Sequence, residues 1–274
     1  MNLEDHLGDI IRKARNTAGV SVSAAAQAAG LSAAELTALE QSGEAGAPVR
    51  FAALAELIGL SASKLQGIAQ GWRPQPRELA HWREMRQIAT EQGGNTVNCF
   101  LVWDAVAREA ALFDTGWDAA PVIELVAANR LDLKHLFVTH SHEDHIAALE
   151  PLQRRFPALW LHTNARNAPP RQRNRPGDSI SLGGLRISPR DVPGHADDGV
   201  IFLVSHWPAS APPAAIVGDT LFAGSLAHGF ISTDLLKRKV REEILALPPE
   251  TLLCPGHGPV TTVAEELAHN PFFS

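Results

Sequence analysis

Seven consecutive residues, Thr139-His140-Ser141-His142-Glu143-Asp144-His145, follow directly on the apolar run Leu136-Phe137-Val138, and no other stretch limits the fold of this chain so strongly. Such a run reads as a buried strand, and the loop leaving its end is where α/β folds carry their working side chains. In extended backbone His140 and His142 project to the same side, so two imidazoles can share one cation. Asp144 and His145 turn with the start of the next helix toward a second. Three imidazoles and a carboxylate this close together form a ligand cluster.

Three further ligand candidates stand singly downstream, each at the end of an apolar run and each beside glycine: Asp-Val-Pro-Gly-His195, Ile-Val-Gly-Asp219 and Leu-Leu-Cys-Pro-Gly-His257. Glycine there lets the backbone approach a metal closely and adopt positive φ without a steric penalty.

The texture of the chain around these motifs divides it in three. Residues 1–71 are rich in Ala, Leu, Glu and Gln and lack β-branched runs, which predicts a small all-α domain of five short helices. Leu7, Ile10, Ile11 and Ala14 share one helical face. The second helix covers about 23–29, Gly30 turns the chain, and Ser32 with Glu35 forms a capping box that opens the third helix, closed near Gly43. Two more follow over 51–58 and 63–68. Two prolines in Gly-Trp-Arg-Pro-Gln-Pro mark a boundary, and residues 72–94 read as a linker with a connecting helix over 76–92. From 95 to 274 strands alternate with helices, the mark of an α/β domain.

The bulk figures exclude several classes. With 24 basic against 30 acidic residues the formal charge is -6, which repels phosphate backbones rather than gathering them. Two cysteines, Cys99 and Cys254, are too few for a disulfide framework and read as small buried apolar residues. No stretch approaches the ~20 apolar residues that span a bilayer. The start, MNLEDHLGDIIRK, lacks the apolar segment of a secretory signal, so a cytoplasmic location is expected.

The ligand motifs of residues 95–274, in order and in local context, resemble those of the metallo-β-lactamase superfamily. The resemblance implies an αββα sandwich, here behind an all-α domain that itself resembles the Cro/repressor-type helix-turn-helix fold. It further implies that His140, His142 and His195 hold one metal and Asp144, His145 and His257 the other, with Asp219 bridging and a water between them. Asp144 and Asp219 would then be the catalytic carboxylates, and Asp114 would orient a ligand histidine from behind. Two zinc ions suit this donor set, and iron or manganese is also accommodated. His228, in Phe-Ala-Gly-Ser-Leu-Ala-His-Gly-Phe, falls in a stretch that faces the active site in the family and is a candidate substrate contact; Arg171, Arg173 and Arg175 are candidates for recruiting an anionic substrate. His6, His81, His135, His162, His206 and His269 read as surface or structurally satisfied residues.

Within the superfamily, Gly-Asp-Thr-Leu-Phe-Ala-Gly-Ser at 218–225, the stretch PETLLCPGHGPVTT and the tail HNPFF look most like the glyoxalase II group, which hydrolyses the thioester of acylated glutathione. Ala147 and Ala148 stand where that group has glycine, Asp197 and Asp198 follow the His195 motif, and with zero tyrosines no tyrosine can hold glutathione. The expected function is thus hydrolysis of a thioester or related small ester-like bond. A persulfide dioxygenase of the same fold, with one iron on His140, His195 and Asp219, is the enzymatic alternative, and a DNA-binding regulator with a metal-domain sensor is the alternative of another class. Against DNA binding, the base-reading positions of the third helix are Ser32, Ala33, Ala34, Glu35, Thr37 and Ala38, and residues 1–71 carry five basic against seven acidic side chains, a net of -2. Self-association or partner contact is the expected role of this domain, and its removal is expected to spare the metal site.

Overall fold

Ile201-Phe202, Ala215-Ile216-Val217 and Leu252-Leu253-Cys254 offer apolar side chains to both faces of the strands that carry them, so these strands need cover on two sides. The computed structural model, which describes residues 2–76, 79–175 and 177–274, shows how they obtain it. Five helices come first: α1 (Leu7–Thr17), α2 (Val22–Ala29), α3 (Ala33–Ser42), α4 (Phe51–Ile58) and α5 (Ala62–Ala69). Then come β1 (Met85–Gln92), β2 (Asn95–Trp103), β3 (Glu109–Phe113), α6 (Ala120–Ala128), β4 (Asp132–Phe137), α7 (Glu143–Ile146), α8 (Leu149–Arg155) and β5 (Trp160–His162). The second half holds β6 (Ile180–Leu182), β7 (Leu185–Asp191), β8 (Val200–Ser205), β9 (Ala214–Gly218), β10 (Leu221–Phe222), β11 (Ser225–Leu226), α9 (Thr233–Lys239), β12 (Leu252–Pro255), β13 (Thr261–Thr262) and α10 (Val263–His269).

Strands β1 to β5 form one sheet in sequence order, and the second runs β13-β12-β9-β8-β7-β6. Phe100, Phe113 and Phe137 from the first sheet meet Phe202, Ile216 and Cys254 from the second in the core between them. On the outer face of the first sheet, Cys99, Leu101 and Leu136 pack with Val122, Val126 and Leu152 of α6 and α8. The outer face of the second, Ile201, Ala215, Val217 and Leu253, packs on α9 and also on the five N-terminal helices through residues such as Ile10, Ile11, Leu39, Leu54 and Leu65. The strand residues alternate between the two cores with period two, and the layering is the expected αββα sandwich.

Caps mark the ends of α2 and α3 where the sequence offers them. Ser32 accepts from the Glu35 amide while Glu35 reaches back to Ser32, and Gly30 and Gly43 end α2 and α3 in left-handed backbone. The connecting helix expected over 76–92 is absent: Leu79–Trp82 make one tight turn and Met85–Gln92 form β1, paired with β2. Arg77 and Glu78 lie outside the described residues. The helix-forming composition of this stretch yields to pairing, because Met85 enters the core between the sheets while Ile88 packs with the helices on the other face. The helix expected from His145 to Phe156 is broken between α7 and α8, where the Ala148 amide donates to the Gly116 carbonyl at 3.2 Å and to Thr115 Oγ1 at 3.1 Å.

The N-terminal helices are therefore not a detachable globule. They share one apolar core with the second sheet and with Phe272 and Phe273 of the C-terminal tail. Polar contacts staple the same seam: Ser61 N to Pro271 O at 2.8 Å, Lys64 Nζ to Leu267 O at 2.7 Å, and Lys13 to both Asp5 at 2.6 Å and Leu226 O at 3.3 Å. Deleting residues 1–71 would strip this cover from the sheet, so the deletion is expected to destabilise the sandwich that carries the ligand candidates. Urea unfolding followed by tryptophan fluorescence and by far-ultraviolet circular dichroism is expected to give one coincident transition. Ile11→Ala should lower the unfolding free energy by about 2–5 kcal/mol, read as a shift of the midpoint to lower urea. Two separated transitions would show that the helices fold apart from the sandwich.

Candidate metal centre

The ligand candidates gather at one edge of the sandwich, at strand ends and on the short helix that follows β4. His140 and His142 leave β4, Asp144 and His145 lie on α7, His195 follows β7, Asp219 follows β9 and His257 follows β12. Their side-chain atoms form three overlapping groups, His140-His142-His195, His140-His145-Asp219 and Asp144-His145-His257, each with its ligand atoms within 4.8 Å of one another. All seven predicted ligands are thus brought together.

Hydrogen bonds on the far sides of the imidazoles decide what the near sides present. His195 Nδ1 donates to the His228 carbonyl at 2.8 Å, His257 Nδ1 to the Thr96 carbonyl at 2.6 Å and His145 Nδ1 to Asp114 Oδ2 at 2.8 Å. Thr139 Oγ1 gives its own proton to Asp114 at 2.8 Å, so it accepts from His140 Nδ1 at 3.1 Å. All four rings therefore turn an unprotonated Nε2 inward in their neutral form. His140 Nε2 and His195 Nε2 lie 3.0 and 3.1 Å from His142 Nδ1. While the three rings are neutral only one proton, on His142 Nδ1, can stand among these nitrogens, so added positive charge is favoured there.

The carboxylates require the same charge. Asp219 lies between the groups, with Oδ1 3.3 Å from His145 Nε2 and Oδ2 3.3 Å from His257 Nε2 and 3.8 Å from His195 Nε2. Asp144 Oδ2 is 3.3 Å from His257 Nε2 and accepts from Asn95 at 3.4 Å. Burial opposes ionisation of Asp219, but His145 and His257 together hold its carboxyl well below the usual range. Burial also opposes charge on those two rings, yet Asp114 and Asp219 raise His145 to about 10, and Asp144 and Asp219 raise His257 to about 11. A divalent cation would supply this charge in place of the two protons. His140, by contrast, is pushed well below its ordinary value by burial and by His145. His145 Nε2 and Asp219 Oδ1 are buried 3.3 Å apart and have no hydrogen-bond partner outside the cluster, which fits atoms built for coordination. The His and Asp groups suit a dinuclear metal site.

Two backbone features make the convergence possible. Asp114 holds left-handed backbone with φ 58°, unusual for a residue with a side chain, and from there accepts from the Thr139 amide at 2.7 Å as well as from Thr139 Oγ1 and His145. At Gly256 a Cβ would fall 2.3 Å from Asp219 Oδ1 and 2.6 Å from His145 Cε1, so only glycine lets β12 approach this closely. The sequence did not reveal Thr96, Asn95 or the His228 carbonyl, whose parts are played by backbone atoms or by residues distant along the chain. Nor did it reveal Glu4, whose backbone lies against Gly258 beside His257.

The predicted substrate contacts fare unevenly. His228 is exposed at the edge of the centre, its ring 5.1 Å from that of Phe230. Arg171, Arg173 and Arg175 lie on the loop after β5, and the Arg173 guanidinium is spent on the carbonyls of Ala168 and Arg166. The cleft of about 590 Å³ beside this loop is lined instead by Arg166, which pairs with Asp197, and by Val138, Ile146 and Leu161. Asp114→Ala is expected to leave the fold intact and to weaken metal retention about 10- to 100-fold, because His145 loses the acceptor that fixes its tautomer. Competition with a chromophoric chelator measures this, and unchanged retention would remove Asp114 from the centre.

Residues 93–257 match the Metallo-beta-lactamase superfamily. The chain is 36% identical over 162 residues to the hydroxyacylglutathione hydrolase of Fuscovulum blasticum, an alignment that takes in 58% of this chain and 61%, less than two thirds, of that relative. It is 27% identical over 202 residues to the hydroxyacylglutathione hydrolase GloC of Haemophilus influenzae, covering 65% of this chain and 92% of the other. Among solved structures, ETHE1 from Myxococcus xanthus superposes with a TM-score of 0.59 at 28% identity, over 68% of this chain and 83% of its own. With a family match over more than half of its length and the family's ligand motifs gathered at one edge of the sandwich, this chain belongs to the metallo-β-lactamase superfamily.

Proposed function

We propose that this protein is a metal-dependent hydrolase that cleaves a thioester or a related small ester-like bond. His140, His142 and His195 would hold one divalent cation and Asp144, His145 and His257 a second, with Asp219 between them. The observation that carries the reading is the inward convergence of imidazole lone pairs and ionised carboxylates, supported by two relatives named for hydrolysis of an acylated thiol. Zinc suits these donors, and iron or manganese would also be held.

Two cations so held would supply the means to lower the pKa of water from ~15.7 toward neutrality and to polarise a substrate carbonyl. The chain's own residues prepare for that. Asp219 stays ionised and offsets the repulsion between neighbouring positive charges. Asp144 also stays ionised: burial opposes it, but the His257 hydrogen bond and the charge of His145 bring it to about 2. Burial pushes the thiols of Cys99 and Cys254 up and keeps them protonated, so neither serves as a nucleophile. The likeness to ETHE1 favours one second reading, a persulfide dioxygenase with one iron on His140, His195 and Asp219.

Asp219→Ala should lose at least one metal per chain by elemental analysis. Thiol release from an acylated thiol should fall at least ~10³-fold, about 4 kcal/mol of transition-state stabilisation. Near-normal turnover in that variant would contradict the dinuclear reading. Stoichiometric oxygen uptake with a persulfide, and no thioester cleavage, would favour the dioxygenase.

For the N-terminal helices we propose a helix-turn-helix arrangement that serves self-association rather than DNA reading. Ser32, Ala33, Ala34, Glu35, Thr37 and Ala38 form an exposed face of small side chains on α3, and Glu35 is committed to capping at 2.7 Å from the Ser32 amide. A second copy could approach closely there. Ala34→Glu is expected to lower the mass of the full-length protein measured by light scattering. The same mass before and after, or nanomolar protection of a defined duplex at physiological salt, would refute this role.

A further inference from the structure

Phe230 and Ile231 are neighbours in sequence and are 66% and 56% exposed, an unusual state for two large apolar side chains in succession. They follow β11 and lie beside the metal centre: the Phe230 ring is 5.3 Å from that of His195 and 6.0 Å from that of His142. The segment carrying them is well anchored. The Phe230 amide donates to the His228 carbonyl at 3.1 Å, and the Ile231 and Ser232 amides donate to the Gly194 carbonyl at 3.0 and 3.2 Å. Ser232 Oγ caps α9 by accepting from Leu235 at 3.2 Å. At Gly229 a Cβ would come within 2.5 Å of Thr233, so the turn is also tightly packed. The His228 carbonyl that receives the Phe230 amide is the one that orients His195, and Gly194 precedes His195 in the chain. The two apolar side chains are thus held in water, in fixed register with a ligand histidine.

Fixed exposed apolar surface of this kind marks a binding surface. The cation-ring contacts recorded among the described residues fall on Phe222, Trp103, Phe156, Phe272 and Phe273, and Phe230 has none. Its partners are the rings of His142, His195 and His228. An apolar chain attached to a carbonyl at the ligand cluster would come within reach of Phe230 on this side, and of Ile231 beside it.

We propose that Phe230 and Ile231 form an acyl-binding lip that selects thioesters with an apolar acyl group of several carbons over those with a small polar one. This rests on the thioester-hydrolase reading above and specifies its substrate class. Because the lip covers one side of the chain only, each added methylene gains roughly half of what full burial gives, about twofold in kcat/KM.

The test uses the full-length protein loaded with metal and a series of thioesters of one neutral thiol, N-acetylcysteamine, with acetyl, lactoyl, butanoyl and hexanoyl groups. Thiol release gives kcat/KM for each. The expected ratio of hexanoyl to acetyl is about 16 in the wild type. It should fall toward unity in Phe230→Ser and be largely kept in Phe230→Leu, which preserves apolar area, with the metal content of both variants checked. Binding of the corresponding non-hydrolysable hexyl and ethyl thioethers, followed by calorimetry, reads the lip independently of turnover. The wild type should bind the hexyl compound more tightly, and Phe230→Ser should lose that preference. A flat wild-type series, or a preference that survives Phe230→Ser, overturns the lip. If no thioester is cleaved while the hexyl preference and its loss in Phe230→Ser are both seen, the hydrolase reading fails and the lip stands.

Discussion

Four imidazoles that each give a proton outward and turn a bare nitrogen inward are an arrangement that repels itself, and much of the chain serves to hold it together. The acceptors that fix the rings come from four separate places: Asp114 after β3, the Thr96 carbonyl on β2, Thr139 after β4 and the His228 carbonyl after β11. Each is backbone, or is braced by backbone. The strained left-handed Asp114 is tolerated because it ties Thr139 and His145 to one carboxylate. Positive charge at the centre relieves the repulsion, so the site and a metal held in it would stabilise each other.

That demand explains the architecture around it. Loops can be held to a few tenths of an ångström only if the strands beneath them are fixed, and both sheets are covered on both faces. The first sheet is covered by α6 and α8. For the second, the N-terminal helices contribute much of the cover together with α9 and the aromatic tail. A segment that by sequence reads as an appended module is thus part of the wall behind the catalytic edge. Its leading residues also reach the centre, since Lys13, Asp5 and Ser225 form a chain of short contacts under the ring of Phe222, which stands edge-on to His257.

Specificity is built differently from the ligand set. The ligands are polar, buried and over-determined by hydrogen bonds, whereas the residues that flank the mouth are exposed and few. The arginines that a basic cluster suggests as anion binders are partly occupied by their own loop, and the cleft beside them pairs Arg166 with Asp197. Among the described residues Phe230 and Ile231 are exposed large apolar groups on the segment that orients His195, and the proposed acyl lip rests on that short anchored turn.

The sequence by itself determined the chemistry and the class of fold. His140, His142, Asp144, His145, His195, Asp219 and His257 announce themselves because ligand types at strand ends, beside glycine, are local patterns. Helix caps such as Ser32 with Glu35 are local as well, and the helices lie where those caps put them. Only the tertiary structure decided that Met85–Gln92 is a strand, because its fate depends on β2 offering an edge and on cores that accept Met85 and Ile88 on opposite faces. It alone showed that α1 to α5 share a core with residues some two hundred positions away, and that Phe230 and Ile231 stand beside His195. Apolar periodicity tells which face of a helix is buried but not what buries it, and a loop's chemistry depends on neighbours that only folding brings within reach.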